Sequence, residues 1–264
     1  MILAIDVGNL NIVIGCIDDT KPYFIERLST DLNKTTLEYA LMFKNILELY
    51  HIDPQSIEGG IVSSVVPPLS NVIRRSIEKI IGAQVMMIGP GLKTGLNIKI
   101  DNPGQLGSDM VVDSVAAIQE YPTPLIIIDM GTATTMSVID KNKNYIGGVI
   151  IPGLEVALAS LSARTSQLPK ISLECPKSAI GSNTIACMKS GAVLGNAAIL
   201  DGMIERIEDE LGDRATVVAT GNLAQFIIPY CNHDIIYDDA LLIKGLLIIY
   251  EKNSEHHCSI RKGI

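Results

Sequence analysis

Two short segments of this chain place an aspartate, a glycine and a small polar residue where two apolar runs meet. The first is IDVGN at residues 5–9, and the second is IDMGT at residues 128–132. Glycine lets a phosphate group approach the backbone, and neighbouring N–H groups and Asn or Thr side chains can donate to its oxygens. The aspartate can hold a cation that offsets the phosphate charge. The pattern predicts an anion and metal site at each bend.

The same residue types also have a purely conformational explanation. Asp, Asn and Gly dominate hairpin bends because they tolerate the backbone angles of tight turns. For a single hairpin that explanation would be the better one. The second copy of the pattern favours the phosphate site.

Two further segments could carry chemistry. In VVATGNLAQFI a predicted strand runs into Gly221, where a nucleotide base or ribose could lie against bare backbone, although such strand-to-helix glycines are common. In NPGQLGSDMVVDS, Asp109 lies just inside a predicted helix N-terminus, beside Gly107 and Ser108. Its carboxylate is either a helix-start residue stabilised by the dipole or a catalytic base, and the physics leaves both open.

The elements around these segments repeat. Strands are predicted at about 2–8, 11–18 and 22–30, followed by helix, strand, helix, strand and the helix that opens at Ser108. From residue 125 the order βββαβαβα begins again, which predicts an internal duplication. We therefore expect an α/β fold of two domains, 1–117 and 118–264, each a mixed five-stranded sheet with helices, facing one another across a cleft.

Composition excludes several classes of protein. With 264 residues, 47% of them hydrophobic, the chain can bury a large core. A net charge of -8 and scattered Lys and Arg residues argue against a nucleic-acid partner. Five dispersed cysteines without a C-x-x-C pair suit reduced thiols. No apolar run reaches the roughly 18 residues of a membrane span, so a cytoplasmic protein that is neither exported nor anchored is expected.

Taken together, the motifs resemble those of the type III pantothenate kinases, a group of the actin-like ATPase superfamily with ribonuclease-H-like domains. The resemblance extends over nearly the whole chain. The matching segments are DVGN-x-N at 6–11, SSVVPP at 63–68, GPGLKTGLNIK at 89–99, DNP at 101–103, G-x-D at 107–109, DMGTATT at 129–135, GGVIIPGL at 147–154, ARTSQLP at 163–169, G-x-NT at 181–184 and ATG-x-LA at 219–224.

The resemblance implies ATP-dependent phosphorylation of pantothenate to 4'-phosphopantothenate, the first step of coenzyme A synthesis, by a cytoplasmic homodimer whose long helices pack together. It implies Asp109 as the general base, Asp6 on the magnesium side and Asp129 beside a monovalent cation, potassium or ammonium. The implied ATP-binding residues are Asp6, Gly8, Asn9, Asn11, Gly131 and Thr132. The implied substrate-binding positions are Ile100, Gly107, Ser108, Met110 and Thr184.

Three residues depart from the family pattern. Leu10 stands where Thr or Ser is usual in the first hairpin, Ile100 replaces a tyrosine, and Met110 replaces an arginine. Each change removes a polar group from a site whose ligands carry charge. An active kinase and a non-catalytic or weakly active paralogue with a regulatory or interaction role therefore both remain open. A C-terminal EHHC segment at 255–258 could bind a transition metal but is more typical of a solvated tail.

Overall fold

The computed structural model describes residues 1–18 and 21–261, with the side chains of 255–261 excluded. The strands in this part of the chain are β1 (Ile2–Val7), β2 (Asn11–Asp18), β3 (Lys21–Ser29), β4 (Gly59–Ser64), β5 (Val85–Met87), β6 (Asn97–Ile98), β7 (Leu125–Met130), β8 (Ala133–Ile139), β9 (Asn144–Pro152), β10 (Thr216–Thr220) and β11 (Ile235–Tyr237). The α-helices are α1 (Thr36–Leu49), α2 (Pro67–Ile81), α3 (Ser108–Glu120), α4 (Leu154–Arg164), α5 (Thr184–Leu211), α6 (Ala224–Ile227) and α7 (Leu241–Arg261).

The first three strands lie within one residue of the predicted positions. Helix α2 begins two residues earlier than expected, at Pro67. Proline is accepted in the first turn of a helix, because the N–H groups there have no helical partner. The two prolines that follow β4 therefore form the first turn of the next helix.

Two sheets repeat one topology. The first has the order β3-β2-β1-β4-β5, and the second has β9-β8-β7-β10-β11 with β6 added beside β9. In each, the first three strands pair antiparallel, and the last two join in parallel. This identity of order and direction confirms the α/β fold and the duplication. The second sheet has six strands because Asn97–Ile98 pairs with Asn144 and Tyr145.

The chain forms two compact units. The first comprises Met1–Leu96, Asn102–Gln119 and Ala240–Ile264, and the second comprises Asn97–Asp101 and Glu120–Asp239. This division differs from the single boundary expected after residue 117, since the last helix belongs to the first unit and β6 belongs to the second. An apolar helix pattern shows that a face is buried but does not show which sheet covers it.

The sheet of the first unit is covered on both faces. Tyr39, Phe43 and Ile73, from α1 and α2, pack against one face with Ile5. The other face packs against α3 and α7, whose Val112, Ile243 and Leu246 are fully buried. Burying one such aliphatic side chain is worth about 1.5–3 kcal/mol, so these contacts stabilise the packing of α7 on this sheet. Strand alternation places Asp6 on the α3 and α7 face, with Ala4.

The core of the second unit is built around its longest helix. Val193, Leu200 and Ile204 of α5 pack against Ile126 and Ile128 of β7. Asn183 caps this helix, its side chain accepting from the Ala186 N–H at 3.0 Å. Across the described residues, no helix combines the length and apolar character that a membrane crossing requires.

Candidate functional site

The first hairpin closes around the predicted phosphate turn. Asp6 is next to last in β1, is 7% exposed and pairs in register with Val13 of β2 and Ser63 of β4. The Gly8 N–H donates to the Asn11 carbonyl at 2.9 Å, which closes the bend. A buried carboxylate therefore lies at the base of an exposed polar turn.

Thr30, just past β3, braces this turn from the side. Its Oγ1 donates to the Gly8 carbonyl at 2.7 Å, and its N–H donates to the Leu10 carbonyl at 2.9 Å. With these carbonyls occupied, the turn presents the exposed side chains of Asn9, Leu10 and Asn11 to solvent. The sequence pattern did not identify Thr30, because a single threonine between a strand and a helix has no distinctive local signal.

The second hairpin repeats the first with one residue fewer. Asp129 pairs in register with Thr135 of β8 and Thr220 of β10, as Asp6 does with the corresponding strands. The Gly131 N–H donates to the Ala133 carbonyl at 3.0 Å, and Gly131 and Thr132 are exposed. The two bends thus match in position, and the first has an extra residue in its turn.

Two glycines allow other segments to approach the second hairpin. Gly153, which precedes α4, donates its N–H to the Thr132 carbonyl at 3.1 Å, and a Cβ there would lie 2.3 Å from that oxygen. Gly221 has φ +91°, and a Cβ there would lie 2.7 Å from the Met130 carbonyl oxygen. The close approach of Gly221 to the Met130 backbone explains a glycine at this strand-to-helix position, while its contact with a nucleotide base or ribose stays a prediction. The role of Gly153 was missed, although its motif was noted.

The candidate base lies at the start of α3 in the first unit. Asp109 is half-buried, and its Oδ1 accepts from the Met110 N–H at 2.9 Å. The Gly107 carbonyl accepts the Val111 N–H at 3.1 Å, so the helical hydrogen bonds begin at Gly107. The Ser108 Oγ lies 2.9 Å from the Ser63 Oγ. One end of the sheet thus brings Asp6, Ser63 and the first turn of α3 together.

The remaining predicted positions lie in two different units. Half-buried Met110 belongs to α3 of the first unit, whereas Ile100, also half-buried, follows β6 in the second. Thr184 is exposed and is the first residue of α5.

The candidate metal ligands are the carboxylates of Asp6 and Asp129. Among the side chains that the structure describes, no three His, Cys, Asp or Glu residues form a metal-binding group. The side chains of the EHHC segment at 255–258 lie outside the described residues. Asp6 and Asp129 each present a carboxylate beside a polar turn, which suits hard cations that share their coordination with a bound phosphate or with carbonyl oxygens.

Known proteins are similar to this chain over nearly its whole length. The family model for type III pantothenate kinase matches residues 2–206. Proteins named type III pantothenate kinase from Bacillus cytotoxicus and Brevibacillus brevis are each 42% identical to this chain over 96% of its length, which covers 97% and 99% of theirs. The corresponding Exiguobacterium protein is also 42% identical, over 97% of this chain and all of its own.

Solved structures support the fold alone. A Baf family protein from Campylobacter jejuni superposes with a TM-score of 0.59 at 20% identity, covering 96% of this chain and 100% of its own. Component A of (R)-2-hydroxyglutaryl-CoA dehydratase from Acidaminococcus fermentans gives a TM-score of 0.55 at 15% identity, covering 96% and 98%. The family model and the full-length relatives, by contrast, show the family: the chain belongs to the type III pantothenate kinases.

Proposed function

We propose that this chain transfers the γ-phosphoryl group of ATP to the hydroxyl of pantothenate, forming 4'-phosphopantothenate in the first step of coenzyme A synthesis. The observation that carries the proposal is the Asp-x-Gly hairpin, which recurs at the same position of both sheets in a chain of this family. The kinase-named relatives, similar over nearly their full length, support the same reaction.

In this proposal the two turns bind the phosphates of ATP. Asn9 and Asn11 donate side-chain N–H groups from the first turn, and Thr132 donates its hydroxyl from the second. Gly8 and Gly131 leave room for the phosphate oxygens to reach the backbone. The bracing of the first turn by Thr30 supports this role, because a turn held before binding loses little conformational entropy when ATP binds.

Asp109 is proposed as the general base. The pantothenate hydroxyl oxygen attacks the γ-phosphorus, its proton passes to the Asp109 carboxylate, and ADP leaves with the bridging oxygen. Half-burial at the N-terminal turn of α3 supports the assignment, since the helix dipole favours a carboxylate there while solvent still reaches it. Gly107, Ser108, Met110, Ile100 and Thr184 are proposed to contact pantothenate.

Two cations complete the proposal. Asp6 would hold magnesium and Asp129 a monovalent cation, potassium or ammonium, and these ions supply positive charge against the phosphates. A lone carboxylate fits the magnesium role, because protein-bound magnesium commonly has one or two carboxylates with substrate phosphates and water. The burial of Asp6 beside an exposed turn supports a ligand position there.

A cytoplasmic homodimer is the proposed assembly. Apolar side chains remain exposed on the second unit, with Ile185 and Ile199 of α5 at 47% and 43% and Leu161 of α4 at 44%. A second copy would cover them. Light scattering coupled to size exclusion should give a mass near twice 28.4 kDa. A mass of one chain at micromolar concentration would contradict the dimer.

The reaction is tested by coupled ADP release with ATP, magnesium, and potassium or ammonium, in the presence and absence of pantothenate. We expect release that depends on pantothenate and yields phosphopantothenate by mass spectrometry. Binding of an ATP analogue without such turnover would instead support the non-catalytic paralogue.

A further inference from the structure

A fully buried hydroxyl connects the sheet of the first unit to the helix that carries Asp109. Ser63 is the next-to-last residue of β4 and is 0% exposed. Its Oγ lies 2.9 Å from the Oγ of Ser108, the first residue of α3. On its other side, Ser63 pairs in register with Asp6. Ser63 is thus paired with Asp6 in the sheet and hydrogen-bonded to the residue that precedes Asp109.

The position would ordinarily hold an apolar side chain. Strand alternation puts Ser63 on the same face as Ile61, which packs with Val112 of α3 and with α7. A hydroxyl buried there is unfavourable unless it is hydrogen-bonded. Its bond to Ser108 meets that requirement and fixes the first turn of α3 against the end of β4.

We propose that Ser63 is a positioning residue, which acts through Ser108 to hold Asp109 in the geometry needed for proton removal from pantothenate. This inference rests on the proposed kinase function. Without the hydroxyl pair, α3 would still pack through Val112 and Val115, but its first turn would lose its hydrogen bond to the sheet. Phosphoryl transfer requires that the reacting groups be positioned to within a fraction of an ångström. A small displacement of Asp109 therefore lowers the rate.

The chain provides a matched control for the loss of a buried hydroxyl. Ser76 is also 0% exposed, and its Oγ, which has one proton to donate, lies 2.8 Å from the Thr36 carbonyl oxygen and 2.7 Å from the Val72 carbonyl oxygen. It joins α1 to α2 and is remote in sequence from every proposed site residue. Ser76→Ala therefore removes the same atom from a similar environment without touching α3.

The kinetic test compares Ser63→Ala with Ser76→Ala in the full-length protein. We expect similar small decreases in Tm, but a kcat lowered about tenfold or more only in Ser63→Ala, with the KM for ATP unchanged. In the double variant Ser63→Ala/Ser108→Ala, the loss should be smaller than the product of the two single losses. A Ser63→Ala enzyme with full kcat, or multiplicative losses in the double variant, would overturn the proposal.

Amide hydrogen exchange tests the positioning step independently of turnover. We expect faster exchange at residues 108–112 in Ser63→Ala and unchanged exchange there in Ser76→Ala. If the unaltered chain released no pantothenate-dependent ADP, the kinase proposal would fail. The exchange pattern would then still support the stabilisation of the first turn of α3 by Ser63. Equal exchange at these residues in both variants would refute this stabilisation.

Discussion

At the scale of single residues, Asp109 has two possible roles that the same geometry allows. Its Oδ1 accepts from the Met110 N–H, as a helix-start residue would, and its half-exposed carboxylate can also meet a substrate hydroxyl. Only the loss of the charge separates the two roles, because an amide can keep the hydrogen bond to the backbone.

We expect Asp109→Asn to abolish most of the turnover. The amide oxygen still accepts from the Met110 N–H, so Tm should change little, while the proton acceptor is lost. General bases contribute typically about 10²–10⁴-fold, and kcat in the coupled ADP assay should fall by that order. A folded variant that retains most of its turnover would establish Asp109 as a helix-start residue only.

Gly221 is sensitive to substitution because of its backbone conformation and its close approach to another segment. Its φ of +91° is strained for any L side chain, and a Cβ would lie 2.7 Å from the Met130 carbonyl oxygen. We expect Gly221→Ala to lower Tm and to weaken binding of a non-hydrolysable ATP analogue, measured by calorimetry. Gly89→Ala is the control, since its added Cβ meets nothing within 4 Å. Unchanged nucleotide affinity in Gly221→Ala would contradict the expectation that a nucleotide base or ribose lies against this glycine.

At the scale of elements, a buried carboxylate ties α5 to the segment before β11. Asp201 is 7% exposed, and its oxygens accept from the Asn232 N–H at 3.0 and 2.9 Å and from the His233 N–H at 3.1 Å. The His233 Nδ1 lies 2.9 Å from Oδ1. Burial alone would raise the pKa of Asp201, but the hydrogen bonds from Asn232 and His233 outweigh it, so the pKa lies below its usual value.

The lowered pKa of Asp201 predicts how the stability of the fold depends on pH. A carboxyl whose pKa is lower in the folded state stabilises the fold above the unfolded pKa, near 4, and loses that contribution as pH falls through the folded value. We expect Asp201→Asn to lower the free energy of unfolding at pH 7 by about 1–3 kcal/mol in urea titrations. The difference from the unaltered protein should shrink below about pH 4.

The control for that variant is Asp209→Asn, an exposed position on the same helix. It should leave the unfolding free energy nearly unchanged. A deficit in Asp201→Asn that stays constant from pH 7 to pH 3 would show that the carboxylate charge does not contribute.

At the scale of the whole molecule, three residues that lie far apart in the chain are expected to lower the efficiency of the reaction. Leu10 is 45% exposed on the first turn, and Ile100 and Met110 are half-buried in different units. None is a fully buried core residue, so polar replacements should not disrupt packing. From the resemblance to the family we expect Thr or Ser, Tyr and Arg to be usual at these positions, so this chain is expected to lack two hydroxyl donors and a guanidinium.

We expect the Leu10→Thr, Ile100→Tyr, Met110→Arg triple variant to have a higher kcat/KM for pantothenate. If each missing polar contact costs about 1–3 kcal/mol and the losses partly add, the gain should exceed about thirtyfold. Side-by-side kinetics under one cation condition measure it. Equal and substantial efficiencies in the two proteins would show that these positions do not control the site.

Local pattern alone determined a large part of this protein. Alternating apolar residues and glycine-bearing turns predicted the first three strands to within a residue, because side-chain period and turn chemistry are short-range properties. The repeated Asp-x-Gly segment predicted both hairpins and the duplication, since both copies keep the same residue types at the same place in the element order.

Only the tertiary structure decided which surfaces meet. It assigned α7 to the first sheet and Asn97–Ile98 to the second, although both departed from the expected order. It also revealed Thr30 against the first turn, Gly153 against the second, and Ser63 against Ser108. These contacts join residues distant in the chain or depend on how closely two backbones approach. A sequence read locally shows that a face is apolar or a turn is polar, but the partner of each is chosen by the packing of the whole unit.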